Sequence, residues 1–162
     1  MNKVLFFLFF LLTNSFFAHG KKIKLPTLSV IQINHLLDLS VDTFYKETMS
    51  SKSKPKFTGN SLLKIQKSTK LLLNSSKILA PEIAVHFKKI FKALDVQISL
   101  LLKTSKKVYV KQVWKSLFII SRSFNVKTYF YGFCSKDRSM WIQKKKSKPV
   151  NPIGLSSCVN YI

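Results

Sequence analysis

Two of the three histidines, the two cysteines and one pair of aspartates carry most of the chemistry this sequence could offer. His35 and His86 are far apart and neither has a nucleophile at a helpful spacing. A catalytic histidine needs both a nucleophile and an orienting group in reach. Both are therefore expected to be ordinary, partly buried side chains. No CxxC, HxxxH or HExxH pattern occurs, so a zinc site is not expected. Asp38 and Asp42 stand one helical turn apart and could share a cation. More often such a pair is a solvated face that offsets nearby lysines. With only 4 glycines there is no phosphate-cradling loop. No enzyme activity and no small-molecule cofactor are expected.

The remaining functional signal is charge. The 162 residues hold 28 Lys+Arg against 6 Asp+Glu, for a net charge of +22. All but Arg122 and Arg138 of the basic residues are lysines. AT-rich coding can explain lysine in place of arginine, but not the presence of only Glu47 and Glu82 as glutamates. Lysine acts as a hydrated point charge, whereas arginine grips anions bidentately. Diffuse, salt-sensitive attraction to anionic partners is the expectation.

Where that charge would act is indicated by the leader. Met1-Asn2-Lys3 precedes an unbroken apolar run, Val4–Leu12, followed by the small-x-small exit Ala18-His19-Gly20. This is the pattern of a secretory signal peptide spanning residues 1–20, cleaved after Gly20. Read as an uncleaved anchor, the stretch Val4–Ala18 is broken by Thr13-Asn14-Ser15 and is short of a comfortable span. Loss of Lys3 would leave a charge one below +22 on a single domain, residues 21–162. Export also favours one disulfide, Cys134–Cys158, across a 24-residue separation. Such a loop is worth about 3 kcal/mol by chain entropy.

Several residues are candidates for contact with a polyanion. They are the arm Lys21, Lys22 and Lys24 and the run Lys144, Lys145, Lys146 and Lys148. Trp141 beside that run, with Tyr129, Tyr131 and Phe133 opposite, would add an aromatic–basic surface. Asn74-Ser75-Ser76 is a glycosylation sequon near the end of a helix.

These features need a scaffold, and the apolar spacing predicts one of mainly α class. Helices are expected over 28–48, 61–78, 81–103 and 106–123, separated by the Ser/Lys-rich loop 50–59 and the restart at Ala80-Pro81-Glu82. In the first helix Leu28, Ile31, Leu36, Leu37, Val41, Phe44 and Tyr45 are the expected apolar positions. Thr104 and Ser105 are expected to cap the fourth helix. After Asn125 the β-branched and aromatic run 126–133, a turn at 135–138 and residues 139–142 suggest a hairpin. The expected architecture is a small up-and-down bundle of about four helices. Residues 126–162 would form a C-terminal β-hairpin or irregular extension tied on by the disulfide.

The favoured functional expectation is a secreted, strongly basic, non-enzymatic protein that binds anionic surfaces, such as sulfated glycans or acidic lipids. The alternative is a bundle-type signalling or fluid-borne effector, cytokine-like or of seminal or venom type, acting on a protein receptor. Membrane damage by basic amphipathic helices is a third reading. Nucleic acid is disfavoured by the export signal.

Overall fold

The helix after Pro81 shows how local sequence sets the architecture. Proline at its first position and Glu82 in its first turn favour initiation. Ala84, Phe87, Phe91, Leu94, Ile98 and Leu101 then recur on one side and are buried together. Ser105 ends it in the left-handed region, φ 51°, donating its N–H to the Leu101 carbonyl at 2.8 Å. The expected role of Ser105 as a cap for the next helix is thus corrected: it closes the preceding one. The next helix starts from Lys106 without a side-chain cap.

The structure is a computed structural model that describes residues 22–50, 59–144, 152 and 160–161. Among these residues the helices are α1 (Thr27–Ser50), α2 (Gly59–Ser75), α3 (Pro81–Thr104) and α4 (Lys107–Ser123), with a 3-10 turn at Ser76–Ile78 after α2. Each helix packs on its neighbour in sequence. The segment before α1 runs beside the end of α4: the Ile23 N–H donates to the Ser123 carbonyl at 2.9 Å. Near its other end α1 sets Phe44 against Trp114 of α4, with ring centroids 5.2 Å apart. α1 and α4 are therefore antiparallel, and the helices form the expected up-and-down bundle.

The bundle core is aromatic and aliphatic. Phe87, Phe91 and Phe124 form one cluster, with centroids 4.4 to 6.1 Å apart. Leu62, Ile65 and Leu72 from α2 and Val113, Trp114, Leu117 and Ile120 from α4 close it. Burying each such side chain is worth about 1.5–3 kcal/mol.

One expectation for α1 fails. Leu28 and Ile31 are more than half exposed. The expected Leu36, Leu37, Val41 and Phe44 are buried, and with Ile33 they form a stripe that also passes through two serines, Ser29 and Ser40. Ser40 is accommodated by donating its hydroxyl to the Leu36 carbonyl at 2.7 Å.

The hairpin forms as β1 (Phe130–Cys134) and β2 (Ser139–Gln143), antiparallel, with Gly132 opposite Trp141. A short third strand, β3 (Asn160–Tyr161), pairs antiparallel with the other edge of β1, Asn160 opposite Phe133. β2 packs on α4. Tyr45 of α1 reaches the sheet, its hydroxyl donating to Gln143 Oε1 at 3.2 Å. Cys134, at the end of β1, is fully buried. Its expected partner Cys158 lies outside the described residues.

Candidate anion-binding surface

The few acids are placed where they neutralise particular lysines. Asp38 and Asp42 lie on the side of α1 that meets the sheet. Lys144, just past β2, sets its ammonium 2.6 Å from Asp42 Oδ2 and 3.5 Å from Asp38 Oδ1. Lys127 lies 3.4 Å from Asp38 Oδ2, and the Tyr129 hydroxyl donates to Asp38 Oδ1 at 3.1 Å. Burial and the Asp38 charge together push the Tyr129 hydroxyl well above its ordinary value. Burial alone would lower the Lys144 ammonium, but its hydrogen bonds and the charges of Asp42 and Asp38 outweigh this and raise it. The notion that Asp38 and Asp42 share a cation is refined accordingly: the cations on them are lysine ammonium groups.

A third acid, Asp137, sits in the hairpin turn. It accepts from the Ser139 hydroxyl at 2.6 Å and pairs with Lys111 of α4 at 3.0 Å. Burial pushes its carboxyl up, yet the hydrogen bonds from Ser139 and Lys111 more than compensate and hold it below the ordinary carboxylate range. Three acids thus serve Lys111, Lys127 and Lys144, all near the sheet.

The outer face of α2 and α3 has a different character. On α2, Leu63, Lys67, Lys70 and Asn74 follow one another at helical spacing and all are exposed. On α3, Val85, Lys92, Val96 and Lys103 do the same, with Lys88 and Lys89 flanking them. The helices are joined at this face by the Gln66 amide, which donates to the Ser99 hydroxyl at 2.7 Å. Among the described residues, none of Lys67, Lys70, Lys88, Lys92 or Lys103 makes an ion pair. Two acids flank this side of α3: Glu82, exposed one turn before Val85, and Asp95, half-buried, whose Oδ1 has no hydrogen-bond partner among the described residues.

The residues singled out from sequence are distributed unevenly. Lys22 and Lys24 are exposed on the segment before α1. Lys21, Lys145, Lys146 and Lys148 lie outside the described residues, as does the leader 1–20. Lys144 is ion-paired rather than free for an outside partner. Trp141 is fully buried with its ring laid across Gly132, so it offers no surface to a ligand. Tyr129 is likewise buried, and Tyr131 packs edge-on against Phe118 with the Arg122 guanidinium 5.7 Å from both rings. The expected aromatic–basic surface beside Lys144 is therefore corrected: Trp141 and Tyr129 are core rings, and Tyr131 packs half-buried against that core.

Asn74 is exposed in the last turn of α2, on the same outward stripe as Lys67 and Lys70. The His35 and His86 side chains are both largely exposed, His86 being partly desolvated where its ring meets Phe124. Partial burial, and then the nearby charge of Lys89, lower the His86 imidazole below its ordinary value. Among the described residues no three acids, histidines or cysteines gather as a metal site, and no helix is long and apolar enough to cross a membrane.

In the sequence, Lys67, Lys70, Lys88 and Lys92 fall largely off the apolar stripes of the two predicted helices. What the sequence does not show is that acids elsewhere are consumed and these lysines are not. The chain matches no protein-family model, no curated protein and no solved structure.

Proposed function

We propose that the chain is an exported protein that binds anionic surfaces or polyanions through the lysines of α2 and α3. The observation that carries this reading is the segregation of charge. Asp38, Asp42 and Asp137 are held by lysines near the sheet, while Lys67, Lys70, Lys88, Lys92 and Lys103 project outward with no acid paired to them among the described residues. Several lysines acting together attract an extended anion strongly, and salt weakens that attraction steeply. Lys22 and Lys24, with Lys21, Lys145, Lys146 and Lys148, add to the field without fixing its direction.

Export rests on the leader, and with it goes a disulfide between Cys134 and Cys158. Asn160 pairs with Phe133, the neighbour of Cys134. Residue 158 is two positions from Asn160, within about 7 Å of chain. The bridge would anchor the C-terminal segment to β1.

The test is retention on heparin. The mature protein is expected to elute well above about 0.2 M salt, where charges more than a Debye length apart are already screened. Lys67→Gln, Lys70→Gln and Lys92→Gln combined should bring elution markedly earlier. The same number of changes at Lys46, Lys106 and Lys136, exposed on other elements, should shift it less. Elution of the unaltered protein below about 0.2 M would overturn the reading.

A further inference from the structure

The α2–α3 face is basic but not uniformly polar. Leu63 is 50% exposed, Leu71 56%, Val85 71% and Val96 49%. Single exposed apolar side chains are ordinary. Here they are interleaved with lysines along two adjacent helices. Leu63 and Leu71 share a shallow depression on α2 with Lys67 and Lys70. On α3 Val96 lies one turn from Lys92, and Val85 lies one turn from Lys88 and Lys89 on the same exposed side.

A hydrated glycan sulfate gains nothing from such side chains. The boundary between lipid headgroups and acyl chains accepts both: apolar side chains enter it and lysines remain at the anionic headgroups. From this match of charge and polarity we propose that the α2–α3 face docks flat onto anionic lipid bilayers. Leu63, Leu71, Val85 and Val96 enter the boundary, and Lys67, Lys70 and Lys92 contact the headgroups. No helix is inserted across the bilayer. The inference rests on the anion-binding reading of the same face and names its partner.

The experiment measures co-sedimentation with vesicles of phosphatidylcholine and phosphatidylglycerol, mixed roughly three to one, and with pure phosphatidylcholine. Heparin retention is measured in parallel. Binding is expected with the anionic vesicles alone. Leu63→Ser, Val85→Ser and Val96→Ser combined, which leave the charge unchanged, should lower vesicle partitioning about tenfold. They should leave heparin elution where it was. Each of Lys67→Gln, Lys70→Gln and Lys92→Gln should lower partitioning about fivefold.

Val85→Trp supplies a probe at the most exposed of these positions. Its emission should shift to the blue on anionic vesicles and remain unchanged on heparin. If the triple serine variant loses helicity, this probe decides the matter alone. Heparin binding without vesicle binding would overturn the bilayer proposal and leave the anion-binding reading intact. Failure of both would sink both. Equal partitioning of the folded serine variant, or a Val85→Trp spectrum unmoved by vesicles, would show headgroup attraction without docking and would also overturn the proposal.

Discussion

Replacing Gly132 with alanine tests how the hairpin is locked to the bundle. Gly132 lies in the middle of β1, directly opposite Trp141 in the antiparallel register. The Trp141 ring lies over it so closely that an added Cβ would overlap Cε2, Cζ2 and Nε1 of the indole. That ring is fully buried between the sheet and α4 and has no solvent into which it can swing. Overpacking of a core costs about 1–3 kcal/mol, and a rigid bicyclic ring leaves little room for relief, so Gly132→Ala should cost about 3 kcal/mol. For a domain of this size the melting temperature should fall by about 10 °C. Trp141→Leu alone should cost about 2 kcal/mol or more through the cavity it opens. In the double variant the new methyl occupies part of that cavity, so the combined loss should fall short of the sum by about 1–2 kcal/mol. Urea unfolding followed by far-ultraviolet circular dichroism gives all three values. A Gly132→Ala protein within about 0.5 kcal/mol of the parent, or strict additivity in the double variant, would refute the packing argument.

Three further outcomes follow from the ion pairs and the cysteines. The Asp137 carboxyl is held below its ordinary range in the folded state, so its contribution is present above that range and is lost as pH falls through the folded value. Urea midpoints taken from about pH 5 down to about pH 2 should fall less steeply for Asp137→Asn than for the parent. Asp38→Asn removes the charge that Lys127 and Lys144 face and weakens the acceptor for the Tyr129 hydroxyl. It should cost about 1–2 kcal/mol, whereas Asp42→Asn, at a more exposed carboxylate, should cost less than about 1 kcal/mol in the same unfolding assay. Secreted material should begin at Lys21 by Edman sequencing and show no titratable thiol before unfolding. Reduction should then lower stability by about 3 kcal/mol. A chain starting at Met1, or two free thiols in native protein, would contradict the export and disulfide proposals.

The helices were legible because their apolar positions recur at helical spacing, and α3 most of all because Pro81 and Glu82 mark its start. α1 was read less well. Its apolar residues occur on more than one side, and the buried stripe includes Ser29 and Ser40, whose burial depends on neighbours that spacing does not reveal. The hairpin was placed correctly, but not the exposure of its rings. Trp141, Ile142 and Gln143 are all buried in succession, so β2 is covered on both faces and alternation carries no information there. Lys144 looked like the head of a free basic run. Its partner Asp42 is 102 residues away in sequence, a pairing that only the docking of the sheet onto α1 creates. The same holds for the α2–α3 face: each lysine was visible as solvent-facing, while the absence of a paired acid is a property of the assembled fold.

The central claim is that anion binding is localised on α2 and α3 and not spread over the whole charge. The most direct measurement is the salt dependence of affinity for a heparin oligosaccharide by calorimetry, comparing two variants of equal net charge. Lys67→Gln, Lys70→Gln and Lys92→Gln combined are expected to lower affinity at least about tenfold and to flatten the dependence on salt. Lys46→Gln, Lys106→Gln and Lys136→Gln combined are expected to change both far less. Equal losses in the two variants would show that the net charge alone attracts the anion and would contradict a localised binding face.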